Sequence, residues 1–122
     1  MMAVIYETNV VELGSMVEGF YEDQMIILFK TGAPEEMKDY CVLHEKNKLH
    51  KDVQVGDTLY IDEVSYEVTA VGSAVNENLN QLGHITLSFY GKTEPDLPGY
   101  LCLENKKIKP VEVGSTLKIT RN

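Results

Sequence analysis

The chain is 122 residues long, with 19 acidic against 11 basic residues and a formal net charge of −8. That length holds one domain with one core, residues 1–122, and the acidic balance argues against a general nucleic-acid binder, which must neutralise phosphates. Hydrophobic residues at 43% and charged residues at 25% are ordinary for a globular protein, and no apolar run is long enough to cross a bilayer.

The opening Met1-Met2-Ala3-Val4-Ile5-Tyr6-Glu7 has no basic leader and reaches an acid at once, so the expected compartment is the cytoplasm, without membrane insertion. Short strands between turn residues then dominate. They are expected at Val4 to Val11, Gln24 to Lys30, Tyr40 to His44, Thr58 to Ile61, Ser65 to Val71, His84 to Tyr90, Tyr100 to Leu103 and Leu117 to Thr120. Three short helical turns fall between them. Ser15-Met16-Val17-Glu18 has the spacing of a capping box, Pro34-Glu35-Glu36-Met37 opens on a proline and acids, and Asn76 to Leu82 stops at Gly83. So many strands in so short a chain predict an all-β fold, a closed or nearly closed barrel that leaves no exposed edge.

An internal echo supports the barrel. VQVGDTLYI at 53–61 and VEVGSTLKI at 111–119 agree at six of nine places with an offset of 58 residues, as two strand-turn-strand units of one barrel would. At that offset Cys102 falls opposite His44, so the scaffold itself does not require a histidine there.

His44 ends the run Tyr40-Cys41-Val42-Leu43. Strand alternation puts Tyr40, Val42 and His44 on one face and Cys41, Leu43 and Glu45 on the other, which separates Cys41 from His44 and weakens a cysteine–histidine nucleophilic pair. Zinc is not expected: Cys41, His44, His50 and Cys102 lack the paired clusters of a zinc motif. The two cysteines are expected to be reduced and packed. His50, in a lysine-rich turn, reads as surface. In LGHITLSFYG the alternation sets His84, Thr86 and Ser88 on the polar face and Ile85, Leu87 and Phe89 toward the core. His84 is therefore either an ordinary surface histidine or a partner to His44. Gly72-Ser73, ahead of the Asn76 turn, is either a simple turn or a place where backbone amides and a hydroxyl meet an anion.

Three stretches, DQMIILFKTGAPEEMKDYCVLH at 23–44, VTAVGSAVNENLNQLGHITLSF at 68–89 and the closing VGSTLKI, together with the AVIYET opening, resemble the glucitol/sorbitol-specific IIA component of the bacterial phosphoenolpyruvate-dependent sugar phosphotransferase system. The resemblance implies a phosphohistidine carrier that takes a phosphoryl group from the carrier HPr and passes it to a cysteine of the IIB component, next to the membrane component IIC, with no cofactor and no metal. It implies His44 as the acceptor. A second histidine that some members carry shortly after the first is Lys46 here, which leaves His84 as the candidate helper, with Gly72 and Ser73 as candidate phosphate contacts. An acceptor that serves two proteins in turn is expected at an exposed strand end. The alternative is a regulatory binding barrel derived from the same family.

Overall fold

Each of the eight expected strands forms within two residues of its expected bounds. The computed structural model describes residues 2–122, in the order β1 (Ala3–Leu13), the 3₁₀ turn η1 (Glu18–Asp23), β2 (Met25–Lys30), the 3₁₀ turn η2 (Glu35–Tyr40), β3 (Val42–His44), β4 (Lys48–Leu49), β5 (Thr58–Ile61), β6 (Val64–Val71), α1 (Val75–Leu82), β7 (Ile85–Ser88), β8 (Tyr100–Leu103) and β9 (Thr116–Arg121). The two-residue β4 was not anticipated. Its sequence is Lys48-Leu49, too short for any alternation to register.

Neighbouring strands run β3-β2-β7-β8-β6-β5-β9-β1, and a further pairing of β1 with β3 closes the ring into an eight-stranded barrel. One edge of the long β1 pairs with β9, while the other carries first β4 and then β3. The β2–β3 and β7–β8 pairs are parallel and the rest antiparallel. Inside lies one cluster that includes Tyr6, Val10, Ile26, Leu28, Val42, Leu59, Tyr66, Leu87, Leu101 and Leu117. Burying one such aliphatic side chain is worth about 1.5–3 kcal/mol. A smaller cluster of Ala33, Cys41 and Leu43, with Ile27, Phe29 and Met37 against it, sits outside the barrel wall. That split confirms the alternation of Cys41 and Val42 about β3.

The echo in the sequence extends to the whole barrel. Displacing each residue by 58 carries the parallel pairs Leu28↔Val42 and Lys30↔His44 onto Thr86↔Tyr100 and Ser88↔Cys102. The antiparallel pair Thr8↔Leu117 has Leu59↔Tyr66 as its counterpart. Both echo turns pass through a glycine with left-handed backbone, Gly56 at φ 95° and Gly114 at φ 94°. In both, the residue after that glycine caps the turn: Asp57 Oδ2 accepts from the Gln54 amide at 2.8 Å, and Ser115 Oγ from the Glu112 amide at 3.0 Å. The barrel is thus two copies of one unit about a pseudo-two-fold axis.

One local reading is corrected by the structure. The Ser15–Glu18 capping box does not form, because Val17 holds the cap position without any side-chain hydrogen bond and is itself buried. Its segment, Gly14-Ser15-Met16-Val17, is the counterpart of Gly72-Ser73-Ala74-Val75. In both copies the valine amide donates to the glycine carbonyl, Val17 to Gly14 at 3.2 Å and Val75 to Gly72 at 3.1 Å. Both glycines press against neighbouring backbone: a Cβ on Gly14 would lie 2.3 Å from the Asp39 carbonyl oxygen, and one on Gly72 would lie 2.2 Å from that of Pro98. A backbone carbonyl in a closed barrel has little freedom to withdraw. Gly14→Ala and Gly72→Ala should each lower stability by about 2 kcal/mol or more in chemical denaturation, whereas Gly19→Ala, where nothing lies within 4 Å, should change it by about 0.5 kcal/mol or less.

Candidate functional site

His44 is not at the surface. It is 0% exposed, which overturns the expectation of an exposed strand end. The reason is barrel closure: β3 lies between β2 and β1, so its inward alternation carries Val42 and then His44 into the interior. Neither residue type nor strand position marks that in the sequence.

Both ring nitrogens are bonded. Nε2 lies 2.8 Å from the Gly83 carbonyl oxygen and Nδ1 lies 2.8 Å from Thr8 Oγ1. A carbonyl can only accept, so Nε2 carries the proton in the neutral ring, and Nδ1 accepts from the Thr8 hydroxyl. Burial holds the His44 pKa below the ordinary histidine value; the Gly83 bond pulls the other way, and the nearby Lys30 adds to the lowering. The result is a neutral imidazole.

Thr8 reaches the ring because β1 turns Tyr6, Thr8 and Val10 inward, all buried. Its oxygen also accepts from the Asn47 amide at 2.9 Å. Asn47, in a left-handed conformation at φ 42°, accepts at Oδ1 from the Tyr6 hydroxyl at 2.7 Å and donates through Nδ2 to the Leu79 carbonyl at 3.0 Å. Asn47 therefore ties the strand side of the site to α1. Gly83 caps the far end of that helix with φ 61° and ψ 24°, its amide bonded back to Leu79 and Asn78. A Cβ there would lie 2.8 Å from His44 Cε1 and 2.8 Å from Lys30 Cβ. Glycine is required twice, by the backbone conformation and by the ring beneath it.

The other expected residues are placed differently. His84 follows Gly83, yet its ring turns to the outer face of β2, where Nδ1 donates to the Leu28 carbonyl at 2.9 Å and the ring stacks on Phe29 with centroids 4.5 Å apart. His44 bonds the carbonyl of the residue just before His84, and no hydrogen bond joins the two rings. Gly72 and Ser73 are not brought to His44. They precede α1, whose eight residues span about 12 Å, while Gly83 follows it. The amides of Gly72 and Ala74 are already spent on the carbonyls of Tyr100 and Pro98, so this loop belongs to the scaffold, as its counterpart at Gly14-Ser15 does. His50 is exposed, as expected for a surface residue. Cys41 and Cys102 are free and buried, and burial raises both thiols, Cys41 to about 11, which disfavours a thiolate nucleophile. Among the described residues no group of three or more His, Cys, Asp and Glu side chains is placed to hold a metal ion.

Sequence reasoning missed Thr8, Asn47 and Gly83. Thr8 left a trace, being a hydroxyl in the inward phase of an otherwise apolar strand. Gly83 was read as a helix stop, without its second role.

Comparison with known proteins bears on what this site serves. Residues 5–118 match the family model described as the PTS system glucitol/sorbitol-specific IIA component. The chain belongs to that family. Glucitol/sorbitol-specific EIIA components from Escherichia coli (strain K12) and Shigella flexneri are each 36% identical over 117 residues, covering 96% of this chain and 95% of each relative. Among solved structures, the PTS system IIA component from Enterococcus faecalis V583 is 26% identical with a TM-score of 0.78, covering 91% of this chain and 96% of that one. No helix among the described residues is long and apolar enough to cross a membrane.

The buried, neutral state of His44 sets a pH dependence. Its folded pKa lies below the unfolded value of about 6.5, so the unfolded chain takes up the proton first as pH falls. The stability owed to the neutral ring is fully present above about pH 6.5 and is lost as pH falls below that value toward the folded pKa. In denaturation of wild type and His44→Gln between about pH 8 and pH 5, the wild-type advantage should narrow on the acid side. A difference independent of pH would mean that the ring is solvated.

Proposed function

We propose that the protein carries a phosphoryl group on His44, accepting it from the phosphohistidine of HPr and passing it to a cysteine of the IIB component, for uptake of glucitol/sorbitol through the membrane component IIC. Membership of the IIA family supports the role in general terms. The observation that carries the residue assignment is that His44, alone among the three histidines, is buried, with both ring nitrogens hydrogen-bonded and its pKa held low.

Each of these properties suits the chemistry. A neutral imidazole has a lone pair to offer at physiological pH, and the phosphoramidate it forms retains enough transfer potential to pass the group on without another energy source. Transfer of a phosphoryl group proceeds through a loose transition state, so the work of the protein is positioning and electrostatics. Thr8 and Gly83 fix the plane of the ring; Lys30 supplies a positive charge beside it. The acidic surface steers basic partner faces at low salt.

Burial adds a step. The Gly83 turn has to lift from Nε2 before a partner's phosphoryl group can approach, and breaking that one hydrogen bond costs about 1–3 kcal/mol while it goes unreplaced. His84 moves with this turn, so its part is at the rim of the opening and not in holding the resting ring.

Incubation with phosphoenolpyruvate, enzyme I and HPr should place an acid-labile, base-stable label on the wild-type protein. His44→Gln should abolish it, with the label on no other residue. His84→Ala should still label at His44, and should lose less than the factor of ~100 to 1000 that marks a donor acting in the transition state. Full labelling of His44→Gln, or label on Cys41, would refute the assignment.

A further inference from the structure

A phosphoryl group brings a charge of about −1.5 to −2 to whatever carries it. Two features of this chain oppose that charge. The formal net charge is already −8. The cover over the His44 ring is the C-terminal end of α1, with the Gly83 carbonyl aimed at the ring, and that end of a helix carries partial negative charge, the wrong sign for an anion. A fixed cation has to offset both, and it has to stand where the turn uncovers the imidazole.

Lys30 stands there. It ends β2 in the same phase as Ile26 and Leu28, whose side chains lie in the barrel interior. It is also the register partner of His44 in the parallel β2–β3 pair, so the two side chains leave the sheet on one face. The Thr31 amide, next along the chain, donates to the His44 carbonyl at 2.8 Å and fixes the end of β2 beside it. One glycine covers both residues: a Cβ on Gly83 would lie 2.8 Å from Lys30 Cβ and 2.8 Å from His44 Cε1. Lifting that turn opens a space with the imidazole at its floor and the lysine stem at its wall.

At rest this lysine has no anion. Among the described residues the ion-paired basic side chains are Lys38, Lys46, Lys92, Lys109 and Arg121, and Lys30 is not one of them. It is half-buried, and its charge acts on the His44 ring, which it helps to hold neutral. A half-buried ammonium beside a neutral ring gives up hydration without gaining a counter-ion. Resting on the reading of His44 as the acceptor, we propose that Lys30 is the phosphoryl-binding residue of the site, its ammonium donating to the phosphoryl oxygens while the group is on His44. The lysine stem is flexible and its head has three donors, so it follows the oxygens as a point charge. No bond to Lys30 forms or breaks, and it keeps its three protons throughout. Its contribution is a charge-assisted hydrogen bond that the resting protein lacks.

The full chain mixed with phosphorylated HPr, without phosphoenolpyruvate or enzyme I, comes to an equilibrium that measures this stabilisation. Lys30→Met keeps the stem and removes the charge. It should still label on His44, with the equilibrium moved toward HPr by about 10- to 100-fold, the factor that a hydrogen bond to a charged group is worth. Lys30→Arg restores a cation and should recover most of that shift. In the wild type, the 15N signal of the Lys30 ammonium should change on phosphorylation and show coupling to phosphorus across the hydrogen bond, which packing of the stem alone would not produce. An equilibrium unchanged in Lys30→Met, a shift that Lys30→Arg shares in full, or an ammonium signal indifferent to phosphorylation would overturn the inference and leave His44 as the acceptor. Absence of label on His44 in the wild type would overturn both readings together. Should Lys30→Met not fold, the wild-type spectra and the equilibrium of Lys30→Arg still decide.

Discussion

An imidazole sealed inside an apolar barrel has to find a partner for each nitrogen, because an unpaired buried polar atom costs more than the hydrogen bond it lacks. Much of the local structure around His44 answers that demand. A threonine stands in the inward phase of β1 where Tyr6 and Val10 flank it with apolar bulk. A glycine closes α1 in the left-handed conformation, so that its carbonyl can be aimed down at the ring with no Cβ between them. Asn47 takes a left-handed conformation of its own to bring its amide to Thr8 and its side chain to both Tyr6 and Leu79. Among the described residues, no buried side-chain nitrogen or oxygen is left without a partner.

The pseudo-symmetry separates what the barrel needs from what the site needs. Strand pairing, the two glycine turns and the two Gly-Ser entries recur in both halves, and so belong to the scaffold. The site residues do not recur: Cys102 stands where His44 would be, Tyr66 where Thr8 would be, Ile26 where His84 would be and Ser88 where Lys30 would be. In the second half the same positions are filled by an apolar thiol and by Tyr66, whose ring packs edge-on against Phe89. The polar pocket forms at one of the two equivalent places, from Thr8 and His44 of the first copy and Gly83 of the second, while the other place is packed as core. A closed barrel can absorb this asymmetry because the pairing that holds it is a property of the backbone.

The strands were legible because alternation and turn residues are local signals, and closure followed from having many short strands in few residues. The echo at 53–61 and 111–119 was legible too, though only its most similar stretch; β2 and β7 share pairing geometry with almost no shared residues. Burial of His44 was not legible. Whether a polar residue at a strand end faces solvent or the interior depends on which strands flank it, and the β1–β3 pairing that buries it joins His44 to Val10, far away in the sequence. That Gly72-Ser73 would not be brought to His44 was hidden for a related reason. Gly-Ser before a helix is compatible with anion binding, but the copy at Gly14-Ser15, unnoticed in the sequence, identifies it as the way this barrel turns a strand into a helical segment. The alternation correctly turns His84, one residue ahead of β7, to the outer face. What alternation could not give was the direction its ring takes beyond the strand, onto Phe29.

On the proposal that His44 accepts a phosphoryl group, burial and transfer make opposing demands on it, and the position of Gly83 reconciles them. A histidine exposed at the surface would be open to partners but would spend part of its time protonated, since its pKa would lie near 6.5. Enclosure keeps the lone pair free at the expense of access. The cost of access is set by what covers the reactive nitrogen. A strand of the barrel could leave only by breaking ladder hydrogen bonds on both sides, whereas a helix-capping turn can move by giving up one hydrogen bond to the ring and bending at a residue without a side chain. Lifting the turn gives up one bond to the ring and strains the ties of His84 to Leu28 and Phe29, a smaller change than parting a strand from both its neighbours. Firm seating behind Nδ1 and a light cover over Nε2 let one imidazole be dry and neutral at rest and reachable on contact with a partner, without any large rearrangement of the barrel.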